Sequence, residues 1–117
     1  LNESLNEPEI KSGGPFDYGE FTVLEWSLKR ETHKYQGEKW ESAVIEGLIL
    51  NNFAGNNIIV QVNFRIYDKA GNFLEETFAA TKPLYYGDTW SFQTNEIFKG
   101  SDIGSVEFKN ITFDYLQ

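Results

Sequence analysis

Cysteine and methionine are absent from this 117-residue chain, which contains a single histidine, His33, and three prolines. Without cysteine there can be no disulfide, no thiolate metal site and no cysteine nucleophile. One histidine excludes zinc sites built on paired histidines and leaves a single imidazole as a general base. No apolar run approaches the 18 residues or so that a membrane span requires. From these absences we expect no metal, no cofactor and no enzymatic activity.

The charge of the chain is strongly negative, because 18 acidic and 10 basic side chains give a net charge of −8. Such a surface repels phosphate, which argues against a nucleic-acid partner. Aromatic residues are abundant, with 10 Phe, 6 Tyr and 3 Trp. They supply bulky core material for the one domain that this length allows.

The first 15 residues, LNESLNEPEIKSGGP, differ in composition from the rest of the chain. Only three of them are aliphatic, too few to offset the entropy of ordering the segment. We therefore predict a flexible acidic tether over residues 1–15 and a single domain over residues 16–117. Such a tether is typical of a domain on an anchor outside this chain, so we expect an extracytoplasmic location, secreted or attached to the cell envelope. A plain cytosolic tail is the alternative.

Alternation of apolar and polar residues dominates the predicted domain. The clearest strand is IIVQVNFRIYD (58–68), whose inward face would carry Ile58, Val60, Val62, Phe64 and Ile66. Asp68 and Gly71 then suit a type I turn into a second strand, FLEETFAAT (73–81). Six or seven such short strands, without sustained helical periodicity, predict an all-β fold, an immunoglobulin-like antiparallel β-sandwich.

Three other segments are less regular. In FTVLEWSLK (21–29), strict alternation places Leu24, Trp26 and Leu28 on one face, opposite Phe21 and Val23. The segment 42–50 is apolar on both faces, which favours a central strand. In the last segment, SVEFKNITFDYL (105–116), a bulge near Lys109–Asn110 would bring the apolar residues onto a common face.

Three motifs resemble those of the FxLYD domain family. Phe64–Asp68 (FRIYD) resembles the signature that names the family, with Ile66 in place of Leu. VIEGLILNN (44–52) is similar to its Gly-then-Asn strand, and LYYGDTWSF (84–92) to its Pro-Gly-acid-aromatic segment, with Tyr86 where Pro is usual. The resemblance spans about residues 42–113. It implies an immunoglobulin-like sandwich of exported prokaryotic proteins, without an assigned activity or a catalytic residue.

Each residue of the signature also has a structural interpretation. Phe64 and Ile66 face the core, and Tyr67 covers the outer face of the hairpin near its partner strand. Asp68 accepts a backbone hydrogen bond that fixes the turn. Gly71 occupies a position whose backbone conformation is unfavourable for a residue with a Cβ.

Two segments are candidates for binding. The first, KRETHKYQGEK (29–39), has a local charge of +2 and is predicted to be a long solvated hairpin loop that includes His33. It could contact an anionic polymer or a lipid surface through Lys29, Arg30, Lys34 and Lys39. The second contains Tyr85, Tyr86 and Trp90. Neighbouring residues of an extended chain point in opposite directions, so we expect one tyrosine to be buried and the other exposed.

The sequence thus predicts a non-catalytic interaction or spacer domain whose partner is an unidentified protein or a cell-envelope polymer. The alternative is a carbohydrate-binding module in which an exposed tyrosine or tryptophan stacks on a sugar ring. An enzymatic or ligand-responsive role would instead require a cleft that gathers ionisable groups with perturbed pKa values.

Overall fold

The computed structural model describes residues 12–54, 58–81, 84–97 and 102–115. Nearly all regular structure in these ranges is β, as predicted. The strands are β1 Ser12–Gly13, β2 Phe16–Tyr18, β3 Phe21–Tyr35, β4 Glu38–Asn51, β5 Ile58–Asp68, β6 Phe73–Ala80, β7 Thr89–Gln93 and β8 Ile103–Tyr115. Within the described ranges, no helix is long and apolar enough to cross a bilayer.

The strands form two antiparallel sheets with a shared core. In the first sheet β4 lies between β3 and β7, while β1 and β2 both pair with the other edge of β3. In the second sheet β5 lies between β6 and β8. This layering confirms the predicted antiparallel sandwich, and it confirms that the 42–50 segment is part of a central strand.

The inward face of β5 forms the centre of the core. Val60, Val62, Phe64 and Ile66 are fully buried, as the alternation predicts. The Phe64 ring lies 5.2 Å from that of Trp26 and 5.9 Å from that of Phe92, so it joins the two sheets. Burial of apolar surface on both sides of this ring is the main force that holds the layers together.

The turn between β5 and β6 is also confirmed. The Asp68 carboxylate accepts hydrogen bonds from the backbone amides of Ala70 (2.9 Å) and Asn72 (2.8 Å). Gly71 has a φ of 89°, a backbone conformation that residues with a Cβ rarely adopt. On either side of the turn, the rings of Tyr67 and Phe73 pack edge to face with their centroids 6.1 Å apart. Tyr67 therefore lies on the outer surface of the hairpin, as predicted.

A bulge corrects the predicted faces of β3. The pairing register between β3 and β4 changes between Val23 and Glu25, so Leu24 is an extra residue in β3. As a result Phe21, Val23 and Trp26 are all buried, although strict alternation separated them. One inserted residue reverses the facing of every residue beyond it, which is why the prediction was wrong here.

The bulge predicted in β8 is present. Asn63 pairs with Asn110 and Phe64 pairs with Phe108, which leaves Lys109 as the extra residue. Val106 and Ile111 are consequently buried on the same side of the strand.

The N-terminal edge differs from the predicted domain boundary. Residues 1–11 of the predicted tether lie outside the described residues, but Ser12 and Gly13 pair with Ser27 and Trp26 of β3. A Cβ on Gly13 would lie 2.6 Å from the Trp26 ring nitrogen, so the backbone there packs closely against the indole. The described part of the sheet therefore includes Ser12–Gly13, which the sequence assigned to the tether. With the two short edge strands, the described residues form eight strands where six or seven were predicted, because strands of two or three residues are too short to show alternation.

Candidate functional site

The segment predicted as a solvated loop, 29–39, is instead the end of the β3–β4 hairpin. Strand β3 continues to Tyr35 and β4 begins at Glu38, with unbroken pairing up to the turn. Gln36 and Gly37 have φ values of 50° and 83°. Two successive positive φ angles are what a two-residue type I′ turn requires, so the hairpin is tight.

We call residues 31–41 the arm, because this end of the hairpin extends beyond the residues that pair with the other strands of the first sheet. Among the described residues, the two strands of the arm pair only with each other. Every residue of the arm is exposed except His33 and Glu41, which are half-buried. Tyr35 and Trp40 are 66% and 43% exposed. The arm therefore presents aromatic side chains to solvent with little support from the core.

The four basic residues of the predicted binding segment separate into two pairs. At the base of the arm, Lys29 lies 3.9 Å from a Glu46 carboxylate oxygen. Arg30 lies 3.9 Å from Glu41 and donates a hydrogen bond to the backbone carbonyl of Ile103. The charges of these two residues are thus partly balanced by neighbouring acids.

Lys34 and Lys39 are placed differently. They lie directly opposite each other in the strand register, next to the turn, and both are exposed. Neither has a carboxylate within 4 Å among the described residues. Like charges in directly opposed positions destabilise a strand pair, so this arrangement has a local energetic cost.

A polar cluster lies on the other face of the hairpin. His33 Nε2 is 2.7 Å from the Ser42 hydroxyl oxygen, 3.5 Å from a Glu96 carboxylate oxygen and 3.8 Å from a Glu31 carboxylate oxygen. The Ser42 hydroxyl donates a 2.7 Å hydrogen bond to the same Glu96 oxygen. One atom each from Glu31, His33 and Glu96 lies within 4.8 Å of the other two. We call Glu31, His33, Ser42 and Glu96 the His33 cluster.

The alternation of β3 and the register of the hairpin account for three members of the cluster. Glu31 and His33 are two residues apart and therefore share a face of β3. Their directly opposed partners on β4 are Ser42 and Trp40. The indole of Trp40 stacks on the imidazole at 5.2 Å with an interplanar angle of 19°, which restricts the ring orientation.

An irregularity after β7 brings Glu96 to the cluster. Regular pairing of β7 with β4 ends at Gln93, and the chain rejoins β4 through mutual backbone hydrogen bonds between Ala43 and Ile97. The Thr94 hydroxyl holds the intervening stretch by accepting a bond from the Ile45 amide. Departures from regular pairing re-aim side chains, and here the result is a carboxylate directed at an imidazole on another strand.

The cluster adjoins a groove of about 440 Å³ on the surface of the first sheet. Its lining includes Glu31, Ser42 and Glu96, together with the Lys29–Glu46 ion pair. The two carboxylates are thus accessible from this side, although the Ser42 side chain is almost fully buried.

The cluster is not arranged for nucleophilic catalysis. In a serine–histidine–acid triad the imidazole takes the hydroxyl proton and the acid lies on the opposite ring nitrogen. Here the Ser42 proton is directed to Glu96, so the hydroxyl accepts its second bond from His33 Nε2–H. Both carboxylates also face that one nitrogen. What the group can do chemically is bind a cation, because two carboxylates and an imidazole are ligands that divalent metals use.

The second predicted site also differs from expectation. Tyr85 and Tyr86 are both exposed, at 54% and 64%, where one of them was expected to be buried. They lie in a turn closed by a hydrogen bond from the Asp88 amide to the Tyr85 carbonyl, so extended-chain alternation does not apply. Trp90 is half-buried and its ring packs 5.6 Å from that of Phe92. The two tyrosines, without Trp90, are the exposed aromatic pair.

Three side chains on the second sheet have shifted pKa values with clear causes. Backbone amides, above all that of Asn72, lower the pKa of Asp68. A hydrogen bond from Lys109 lowers the pKa of Glu76. The hydroxyl of Tyr67 donates to Glu107, which raises the pKa of the phenol. These shifts are explained by hydrogen bonds on the outer surface, where Tyr67 and Glu107 also line a groove of about 370 Å³.

A scan against protein-family models found no matching family, and searches among curated proteins and among solved structures found no match either.

Proposed function

We propose that this chain is a non-catalytic interaction domain that binds an anionic partner, a protein or a cell-envelope polymer, through the tip of the arm. The observation that carries the proposal is the directly opposed pair Lys34 and Lys39, neither of which has a carboxylate within 4 Å among the described residues. An anionic ligand between the two ammonium groups would relieve their repulsion. Elsewhere a chain with a net charge of −8 repels such a ligand, which restricts contact to this tip.

The arm also exposes two aromatic rings, Tyr35 and Trp40, which lie on the face of the hairpin opposite the two lysines. Tyrosine and tryptophan are enriched where proteins bind partners, because each gives a large contact area with few rotatable bonds. An extracytoplasmic location, with an anchor outside this chain, and the FxLYD resemblance belong to the same proposal and rest on the sequence.

The test is a titration of wild type with poly-L-glutamate and polyphosphate, measured by calorimetry at low and high salt. The double variant Lys34→Ala/Lys39→Ala should lose binding, whereas Lys69→Ala, which removes an exposed lysine from the β5–β6 turn, should bind like wild type. Binding should also weaken steeply with salt, since the Debye length falls from about 10 Å at 0.1 M to about 3 Å at 1 M. Equal binding by the double variant and wild type would refute the assignment to the arm tip.

A carbohydrate-binding module is the second candidate, favoured by the exposure of both Tyr85 and Tyr86. Adjacent exposed rings can stack on sugars, and such contacts are insensitive to salt. Neutral glycans should therefore be titrated in parallel with Tyr85→Ala and Tyr86→Ala. Salt-resistant glycan binding that these variants abolish would establish the second candidate in place of the first.

A further inference from the structure

We propose that the His33 cluster is a binding site for a divalent cation of the zinc type, with His33 Nε2 and one oxygen each of Glu31 and Glu96 as ligands. The site is separate from the arm tip, because alternation places Lys34 and Lys39 on the opposite face of the hairpin. It therefore stands independently of the proposed function.

The distances within the cluster carry this inference. Two ligands bound at about 2.1 Å to one tetrahedral zinc ion are about 3.4 Å apart. His33 Nε2 lies 3.5 Å from the Glu96 oxygen and 3.8 Å from the Glu31 oxygen. Both distances to the imidazole nitrogen are thus close to the value for two ligands of one ion, and the three ligand atoms all lie within 4.8 Å of one another. The metal would take the place of the proton on Nε2, and the neutral ring would then carry its proton on Nδ1.

The surroundings of the two carboxylates also point to a cation. Within the described part of the chain, neither Glu31 nor Glu96 forms an ion pair with a lysine or an arginine. Two carboxylates that converge on one imidazole, with no lysine or arginine ion pair of their own among the described residues, leave negative charge concentrated at that point. A divalent cation would neutralise this charge, which a neutral hydrogen-bond network cannot do.

Supporting contacts hold the ligands in place. The buried Ser42 hydroxyl donates to Glu96 and so orients that carboxylate. The stacked Trp40 ring fixes the plane of the imidazole. Such supporting groups are typical of metal sites, where they pre-orient the ligands. The groove next to the cluster leaves room for water or for a partner's oxygen as a fourth ligand.

Untagged protein treated with a chelator and then titrated with Zn²⁺ alone would test the proposal, with calorimetry and the thermal midpoint as readouts. We expect saturable binding of one ion and a raised midpoint. Because His33 is the only histidine, its ¹⁵N resonances report the ligand directly, and Nε2 should shift on metal binding.

Three variants separate a metal site from a hydrogen-bond network. Glu31→Gln should weaken Zn²⁺ binding by at least about tenfold, a loss that removal of even a supporting group can cause. Glu31 is exposed and lies outside the Ser42–Glu96 hydrogen bond, so this variant should fold normally. His33→Gln should abolish binding, and Glu25→Gln, an exposed carboxylate elsewhere on β3, should have no effect. Absence of binding at 1 mM Zn²⁺, an unshifted Nε2 resonance, or equal affinity of Glu31→Gln and wild type would each overturn the proposal.

Discussion

The β5–β6 hairpin and the arm of the β3–β4 hairpin are both pairs of antiparallel strands joined by a tight turn, yet from the sequence only the first is predicted as paired strands, and the second as a long hairpin loop. One face of β5 is fully buried, and its side chains alternate between apolar and polar accordingly. The arm has solvent on both faces, so neither face selects for apolar residues. Hydrophobic alternation reports burial rather than strand geometry, and an exposed hairpin therefore looks like a loop.

The largest expected difference between the hairpins is in their contribution to global stability. Phe64→Ala should lower the free energy of unfolding by about 3–5 kcal/mol, because it removes a fully buried ring at the junction of the sheets. Denaturant unfolding followed by fluorescence measures this loss. Tyr35→Ala in the arm is the matched control and should change the same quantity by less than about 0.5 kcal/mol. A comparable loss in both variants would show that the arm is part of the cooperative core.

The two turns offer a second comparison, because Gly71 and Gly37 have similar φ values of 89° and 83°. Alanine in this conformation costs roughly 1–2 kcal/mol. Gly71→Ala should therefore lower global stability by that amount. Gly37→Ala should instead open the arm locally, which speeds amide hydrogen exchange in residues 34–39 and leaves the unfolding midpoint nearly unchanged. Equal shifts of the midpoint in both variants would contradict the independence of the arm.

A smaller effect is expected from the charges of the arm. Lys34→Glu converts a like-charge pair into an opposite-charge pair with Lys39, which should stabilise the arm by about 0.2–1 kcal/mol. Slower amide exchange near the turn would measure this gain, and Lys69→Glu controls for the change in net charge. The same variant should lose affinity for poly-L-glutamate, so stability and binding should change in opposite directions.

The smallest effect concerns the pH dependence of the β5–β6 turn. Hydrogen bonds to the Asp68 carboxylate hold its folded pKa below the unfolded value. The ionised carboxylate therefore stabilises the folded state at pH values above its unfolded pKa. This stabilisation is lost as the pH falls through the folded pKa. Asp68→Asn keeps an acceptor oxygen but removes the charge. The stability difference between wild type and this variant, measured by thermal unfolding, should shrink on acidification, and a difference that stays constant would contradict the assignment.

The His33 cluster shows how far a candidate site can be inferred from sequence. The Glu31–Thr32–His33 spacing contains a usable signal, since residues two apart share a face once the segment is known to be a strand. Ser42 follows from the hairpin register, which a turn at Gln36–Gly37 would have given. Glu96 carries no such signal. It reaches the cluster through an irregular stretch 54 residues away from Ser42, and only the folded chain defines that approach.

What the sequence determined by itself is the all-β class, the central position of β4, the β5–β6 hairpin with its turn, and the bulge in β8. Each depends on local geometry combined with burial, of one face in the hairpin and in β8 and of both faces in β4, and this combination leaves a pattern in neighbouring residues. Tertiary structure alone decided the bulge at Leu24, the pairing of Ser12–Gly13 with β3, and the convergence of Glu96 on His33. These features arise where one strand meets another part of the chain, and the energy that selects them lies in contacts between distant residues.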